Sequence, residues 1–221
     1  MGWPKKLVLV RHAESVGNVH TAEERTKLEQ STHDYALTER GRQQAALTGK
    51  YLRANFPPFD IHYASYYRRS LETMRIMCPE AKVYEDPRLA EAQRGIWHVA
   101  TREEISQLMP SEITRKEREG LYHYRPWGGE NWPDIELRIH SFLGTLSRDY
   151  EGQNVLMVVH GNWLILFQRL IHHFSIDEAV ACYKRGKFAN ASATIYGGEI
   201  VEDRHRLVLR EEDVVPWQGQ I

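Results

Sequence analysis

The sequence predicts an α/β fold built around a mostly parallel β-sheet. Short apolar runs alternate along the chain with longer segments of helical periodicity, which is the pattern of repeated βαβ units. Two of the apolar runs, at residues 7–10 and 155–159, end abruptly in polar residues. The length of 221 residues suits one such unit, so we expect residues 1–221 to form a single domain.

The first half of the chain predicts two strands and two long helices. Residues 7–10 form the first strand. Thr38 is the expected N-cap of a helix that covers ERGRQQAALTGKYLRANF and stops before residues 57–58, which are both proline. Residues 61–64 form the second strand, and residues 67–77 form the second long helix.

The second half repeats this alternation after an interruption. AKVYE, at residues 81–85, is the third predicted strand. Residues 101–125 are polar and are expected to form short helices in an excursion from the core. A helix follows at 132–148 with Asn131 as its N-cap, and NVLMVVHGN at 154–162 contains the second deeply buried strand.

Charge and cysteine content exclude several classes of protein. The 29 Lys and Arg residues balance 30 Asp and Glu residues, so the total charge predicts neither nucleic acid nor an anionic membrane as a partner. No apolar run approaches the ~18 residues that a membrane helix needs. Cys78 and Cys182 form no CxxC motif and neither end reads as a signal, so we expect a cytoplasmic protein. A homodimer is left open.

The two strands that end in polar residues predict a site. Arg11-His12 follows the first strand and His160-Gly161 follows the later one. In open α/β sheets, ligands bind beyond the carboxyl ends of the strands, so both imidazoles could reach one crevice. Either histidine alone could simply cap its strand, but the pair favours a shared site. No cofactor or metal is expected, since the histidines show no ligand spacing such as HExxH.

Six motifs along the chain resemble those of a known family. They are RHAES, LTERGRQQA, SYYRRSLET, LAEAQRGIW, GGEN and VVHGN. Their order and spacing are similar to those of the phosphoglycerate mutase-like branch of the histidine phosphatase superfamily, over roughly residues 5–200. The resemblance implies a three-layer α/β/α fold, a small phosphorylated substrate and a phosphohistidine intermediate.

The resemblance also implies a role for each of five residues. His12 matches the nucleophile, and Arg11, Arg69 and His160 match a clamp around the phosphoryl group, in which a protonated His160 would add charge. Arginine suits the clamp because its planar fork binds phosphate in a bidentate manner. Glu91, in LAEAQRGIW, matches the general acid that protonates the leaving oxygen.

Arg69 must be distinguished from its neighbour Arg68, because most helix arginines are solvated. Ser65 and Thr73 keep the family's spacing of four residues on either side of Arg69. The 100° step of a helix would then turn Arg68 toward solvent.

Other residues of the motifs are expected near the phosphate. Ser15 and Asn18 are candidate phosphate ligands, and Gly161 opens a helix whose N-terminal NH groups favour anions. Glu14 is expected behind the contacting residues, because the family has Glu or Gln there. Ala13 stands where the family usually has Gly and adds a methyl group beside the phosphate.

An aromatic group accompanies the excursion. It comprises Tyr122, Tyr124, Trp127 and Trp132. A pocket wall and a small satellite core are both open as interpretations.

The predicted function is hydrolysis of small phosphorylated metabolites by a metal-independent phosphatase. GLYHYRPWGGENWPDIELRIHSFL most resembles broad-specificity phosphatases of the branch, whereas its cofactor-dependent phosphoglycerate mutases carry a longer, basic lid. Arg115, Lys116, Arg118 and Arg125 keep a mutase open as the alternative. A catalytically silent regulatory protein is less favoured, because every implied reacting group is present.

Overall fold

A six-stranded sheet forms the centre of the protein. The computed structural model describes residues 2–221. The strands are β1 (Lys6–Arg11), β2 (Ile61–Ala64), β3 (Val83–Glu85), β4 (Asn154–Val159), β5 (Ala193–Val201) and β6 (Arg204–Val214). Their order in the sheet is β3-β2-β4-β1-β5-β6. The first four strands are parallel, and β5 and β6 are antiparallel additions at one side, so the predicted mostly parallel sheet is confirmed.

The helices begin at the residues that the sequence indicates for the long elements. They are α1 (Val16–Val19), α2 (Ala22–Thr26), α3 (Glu39–Asn55), α4 (Arg68–Met77), α5 (Arg102–Leu108), α6 (Pro110–His123), α7 (Trp132–Asp149), α8 (Gly161–His172) and α9 (Ile176–Lys184). Thr38 caps α3 by accepting a hydrogen bond from the Gly41 amide at 2.9 Å. Asn131 caps α7 by accepting one from the Asp134 amide at 3.0 Å. Both predicted N-caps are confirmed.

Helices cover both faces of the sheet because successive strand residues point to opposite sides. On one face, Leu7 and Leu9 of β1 pack in a cluster with α7 and α8. On the other, Val8 and Val10 pack with α3 and α4. All four side chains are fully buried. The three-layer α/β/α architecture is confirmed.

The sequence pattern does not predict the hairpin of β5 and β6, or α9. β5 is buried only in its first half, and β6 is mostly exposed or half-buried, so neither strand is a continuous apolar run. Glu202 and Asp203 form the turn with φ of 50° and 57°. Positive φ suits a two-residue hairpin turn, but this one lacks the Asn or Gly that usually indicates it.

The excursion at 101–125 contains α5 and α6. Pro110 opens α6, and Gly120 interrupts it with a φ of 70°. Among residues 2–221, no helix has the length and apolar character to cross a membrane.

The parallel strands bring their carboxyl ends to one edge of the sheet. β4 lies between β1 and β2. His12 follows β1, Ser65 follows β2 and His160 follows β4. The amide of His12 donates to the Val159 carbonyl at 2.9 Å, and that of Ser65 donates to the Val158 carbonyl at 3.1 Å. The two histidines therefore meet in one crevice, as the strand ends predict.

Candidate active site

His12 is a neutral imidazole held in one tautomer. It is 3% exposed, and its Nδ1 lies 2.8 Å from the Ala13 carbonyl. A carbonyl can only accept, so Nδ1 carries the proton, and Nε2 accepts a hydrogen bond from Nε of Arg69 at 3.1 Å. Burial, and then the charges of Arg69 and Arg11, lower the pKa of His12 well below its usual value. A neutral ring with its lone pair on Nε2 is the form that a nucleophile requires.

The guanidinium of Arg69 joins both histidines. It is 7% exposed, and besides its bond to His12 it donates from Nη2 to Nδ1 of His160 at 3.3 Å. Nη1 donates to the Thr32 carbonyl at 2.8 Å, and the group lies over the Tyr67 ring at 4.6 Å. Burial lowers the pKa of Arg69 to about 10. Arg69 therefore remains a cation at neutral pH.

The neighbours of Arg69 explain the spacing of its motif. Thr73, one turn later in α4, donates to the Arg69 carbonyl at 2.6 Å and accepts from the Ala13 amide at 3.0 Å. Arg68 is half exposed and pairs with Glu72 at 2.7 Å. The two adjacent arginines thus point in different directions, as the helical step predicts.

His160 is fully buried behind Arg69. Its Nδ1 accepts from Arg69, so Nε2 carries the proton and lies 3.4 Å from Oγ of Ser70. Its ring is 5.1 Å from that of His12 and 5.0 Å from that of Tyr67. Burial, and then the charge of Arg69, lower the pKa of His160 well below its usual value. Burial beside Arg69 therefore favours the neutral form of His160 over the protonated form that the clamp was expected to contain.

Arg11 brings another cation to the site. Its Nη1 donates to the Phe188 carbonyl at 2.5 Å, and its Nε is buried without a hydrogen-bond partner among residues 2–221. Burial lowers the pKa of Arg11, and the carboxylates of Glu91 and Asp213 oppose this shift. Buried donors without partners are rare, and an anion held beside Arg11 would satisfy this one.

These side chains surround a cavity of about 160 Å³, which we call the inner cavity. Of the predicted site residues, its wall contains Arg11, His12, Ser15, Asn18, Arg69 and Glu91. His160 lies behind the wall and holds Arg69. Gly161 also lies outside it, next to Arg11, and Asn162 reaches the cavity instead.

Ser15 and Asn18 line the inner cavity as a bonded pair. The amide and the hydroxyl of Ser15 both donate to Oδ1 of Asn18, at 3.0 and 2.9 Å. Since Oδ1 is occupied, the NH₂ group of Asn18 remains available as a donor to an anion.

Glu91 supplies a carboxylate to the same wall. Its Oε1 accepts from the Ala92 amide at 2.8 Å. Arg138 fixes the segment by donating to the carbonyls of Ala90 and Glu91, at 2.8 and 3.3 Å, and by pairing with Glu130 at 2.8 Å. Glu130 belongs to the GGEN motif, so that motif supports the loop of the predicted acid.

Arg25, Arg94 and His98 also line the inner cavity, and the sequence analysis does not predict them. Arg25, in α2, donates to the carbonyls of Gly17 and His20 at 2.8 and 2.9 Å. Burial and the nearby arginines lower the pKa of His98 to about 4, so it is neutral at neutral pH. None of these three residues follows a strand end. For Arg94 and His98 the sequence gives one signal, which is that they lie in or directly after the LAEAQRGIW motif that contains Glu91.

A larger cavity of about 450 Å³ adjoins the first, and we call it the outer cavity. The two walls share Ala92, Arg94 and Asn162. Tyr124 and Trp132 line the outer cavity. Tyr122 instead packs in the core, and Trp127 is 66% exposed. The aromatic group is therefore divided: Tyr124 and Trp132 form pocket wall, Tyr122 packs in the core, and Trp127 belongs to neither.

Glu14 lies outside the inner cavity. Its Oε1 accepts from the Thr38 hydroxyl at 2.7 Å, and Oε2 pairs with Arg40 at 3.2 Å. Gly41 is needed at the start of α3 because a Cβ there would collide with the Glu14 carbonyl. Within residues 2–221, no three His, Cys, Asp or Glu side chains lie close enough together to bind a metal ion.

Comparisons with known proteins agree on one family. A sequence model of the histidine phosphatase superfamily (branch 1) matches residues 7–212. Phosphoserine phosphatase 1 of Hydrogenobacter thermophilus is 30% identical over 158 residues, which cover 70% of this chain and 70% of that protein. Phosphoglycerate mutase-like protein AT74 of Arabidopsis thaliana is 32% identical over 198 residues, which cover 79% of this chain but 60% of the longer relative. The solved structure of Bacillus stearothermophilus YhfR matches with a TM-score of 0.74 at 28% identity and covers 96% of this chain and 98% of that one.

Proposed function

The chain belongs to the histidine phosphatase superfamily, and from this premise we propose that residues 1–221 act as one catalytic domain that hydrolyses small phosphomonoesters through a phosphohistidine on His12. The observation that carries the proposal is the state of His12. Its Nε2 keeps a lone pair, its ring is neutral, and it shares a cavity wall with four arginines, among them Arg11 and Arg69, and with the carboxyl group of Glu91. This is the set of groups that phosphoryl transfer to nitrogen requires.

In the first step, the hydrogen bond from Nε of Arg69 to Nε2 of His12 is given up, and the freed Nε2 lone pair attacks phosphorus. The bond between phosphorus and the ester oxygen breaks, and the departing oxygen takes the proton of a protonated Glu91. Nδ1 keeps its proton and its bond to the Ala13 carbonyl, which stabilises the positive charge that develops on the ring. The alcohol product then leaves.

In the second step, water attacks the phosphorus of the phosphohistidine. Glu91, now a carboxylate, takes a proton from the water, and the bond between phosphorus and nitrogen breaks. Inorganic phosphate leaves, and both His12 and Glu91 return to their starting forms. The acid of the first step is thus the base of the second.

Arg11 and Arg69 would stabilise the negative charge on the transferred phosphoryl oxygens. In phosphoryl transfer, most of the rate acceleration comes from positioning of the substrate and from electrostatic stabilisation of the transition state. The bonds of Arg69 to Thr32 and His160 hold its fork before substrate arrives. We therefore expect the reaction to need no metal ion.

The charges of the excursion support hydrolysis rather than mutase activity. Arg115 and Arg118 of α6 pair with Glu119, and Arg125 pairs with Asp134. Carboxylates thus neutralise three of the four basic side chains that had left mutase activity as an alternative interpretation. A mutase has to retain a bisphosphorylated intermediate, which favours several free basic groups in a closing lid.

A cofactor-dependent phosphoglycerate mutase is the second candidate, and it is favoured by the likeness to the 2,3-bisphosphoglycerate-dependent phosphoglycerate mutase of Parvibaculum lavamentivorans, which is 29% identical over 185 residues. The two functions are separated by supplying 3-phosphoglycerate with a trace of 2,3-bisphosphoglycerate. A phosphatase should yield glycerate and inorganic phosphate with little 2-phosphoglycerate. Isomerisation at about ten times the rate of phosphate release or faster would instead establish the mutase.

A further inference from the structure

Arg94 lies where the inner and outer cavities meet. It belongs to both walls, and its backbone amide donates to Nε2 of His98 at 3.1 Å, which fixes the chain at this point. The inner cavity of about 160 Å³ is smaller than the ~300–1,000 Å³ of pockets that hold a whole small ligand. A phosphoryl group fits the inner cavity, and the rest of a substrate would extend past Arg94 into the outer one.

The charge of Arg94 is not neutralised by the protein. Within residues 2–221, its guanidinium forms no hydrogen bond or ion pair. By contrast, Arg138 pairs with Glu130, and Arg102, which also lines the outer cavity, pairs with Glu117. Arg94 is only half-buried, so it is solvated but faces a concave wall. A free guanidinium in such a place is a candidate ligand for a carboxylate or a phosphate.

Lys116 adds a second free cation to the outer cavity. Its Nζ lies 3.7 Å from the centroid of the Trp97 ring, and it has no carboxylate partner among residues 2–221. Burial, and then the charges of Arg94 and Arg102, lower the pKa of Lys116. Arg94 and Lys116 therefore repel each other across the outer cavity, and an anion between them would relieve that repulsion.

The rest of the outer cavity wall combines apolar and aromatic side chains with the carboxylates of Glu23, Glu103 and Glu130, of which Glu23 is paired with Lys27. Trp97, Leu121, Tyr124 and Trp132 contribute to its wall. Trp97 is held in place because its Nε1 donates to the Tyr124 hydroxyl at 2.8 Å. The carboxylate of Glu130, also in this wall, is already occupied by Arg138.

We propose that the substrate is a phosphomonoester that carries a second anionic group, and that Arg94, assisted by Lys116, binds this group while the phosphoryl group lies against His12. The inference rests on the proposed phosphatase function and specifies its substrate class. Phosphomonoesters without a second anionic group would leave Arg94 and Lys116 without a partner and would be poorer substrates.

The test uses three aryl phosphates that differ in one group. They are 3-carboxyphenyl phosphate, its neutral counterpart 3-carbamoylphenyl phosphate, and 1,3-phenylene bisphosphate. The protein should hydrolyse the carboxylate with a kcat/KM about 10- to 100-fold above that of the carboxamide, which is the range for one charge-assisted contact. The bisphosphate shows whether a second phosphate serves better than a carboxylate.

Arg94→Gln should remove this preference by lowering kcat/KM for the two charged substrates while changing that for the carboxamide less than about threefold. Lys116→Gln should act in the same direction. Arg118→Gln is the matched control, because Arg118 lies on the same helix as Lys116 but is exposed and paired with Glu119. It should leave all three rates unchanged.

Each other outcome has a definite meaning. Equal rates for the carboxylate and the carboxamide in the unmodified protein overturn this inference and leave the phosphatase function standing. An equal loss on all substrates in Arg94→Gln also overturns it, because Arg94 would then bind the transferred phosphoryl group. Phosphate release from none of the three substrates contradicts the proposed function itself.

Discussion

Removal of Arg69 is expected to lower kcat/KM by about 10²- to 10³-fold. Arg69 donates to both histidines and to the Thr32 carbonyl, at distances between 2.8 and 3.3 Å, so its fork is fixed beside Nε2 of His12. Loss of one preorganised donor to a transition state costs about 2.7–4 kcal/mol. At about 1.36 kcal/mol per factor of ten, this gives the range stated.

The same change should alter the dependence of activity on pH. The charge of Arg69 lowers the pKa of both His12 and His160, although burial contributes more. Without that charge, the pKa of His12 rises. His12 must be neutral to attack, so the loss of activity on acidification should begin at a higher pH in Arg69→Ala than in the unmodified protein.

The assay is kcat/KM for 3-carboxyphenyl phosphate from pH 4 to 8 in the unmodified protein, Arg69→Ala and Arg68→Ala. Arg68 is the matched control, because it is the adjacent arginine but is half exposed and paired with Glu72 and Asp34. Surface pairs of this kind contribute about 0–1 kcal/mol to stability, and the rate should change less than about twofold. Equal activity in both variants, with superimposable pH profiles, would refute the role given to Arg69.

Three further predictions concern the acid, metal dependence and stability. Glu91→Gln should lower kcat/KM, which reports the first step, by about 10²- to 10⁴-fold for alkyl phosphates but much less for 2,4-dinitrophenyl phosphate, because that leaving group needs no proton; equal losses of kcat/KM on both substrates would remove Glu91 as the acid. EDTA should leave activity unchanged while vanadate inhibits, since Arg11 and Arg69 supply the positive charge; restoration of activity by one divalent metal after EDTA would contradict this. In urea unfolding between pH 5 and 7, the free energy of unfolding should be highest above about pH 6.5. It should fall on acidification by up to about 1.4 kcal/mol per pH unit for each buried neutral histidine, because the unfolded chain then binds more protons than the folded one. His12, His160 and His98 all have lowered pKa values, and a flat profile would show that they do not titrate as described.

The parallel half of the fold could be predicted from the sequence because its signals are local. A continuous apolar run marks β1 and β4, and Thr38 and Asn131 mark the helix starts. The hairpin of β5 and β6 could not be predicted, because β6 is mostly polar and its turn contains neither Asn nor Gly. Pairing with β1, which is a long-range contact, determines that β5 is a strand.

In the site, too, local sequence signals predict some residues and not others. His12 and His160 follow strands, and Arg69 sits one helical turn before Thr73, so regular geometry and motif spacing indicate them together. Arg94 and His98 lie at the two ends of a short 3₁₀ helix, Gly95–His98, whose approach depends on Arg138 and on close packing against the GGEN segment. No periodicity predicts where such side chains point. The charge state of His160 likewise depends on complete burial beside Arg69, which the sequence does not reveal.

The central claim is that His12 becomes covalently phosphorylated. The protein is mixed with a ³²P-labelled phosphomonoester for a few milliseconds to seconds, quenched in alkaline detergent, and digested for mass spectrometry. We expect one phosphorylated residue, His12, whose phosphate is lost in acid and retained in base. His12→Asn should carry no label and turn over at least about 10³-fold more slowly. Full turnover by His12→Asn, or label on another residue, would show that His12 is not the nucleophile.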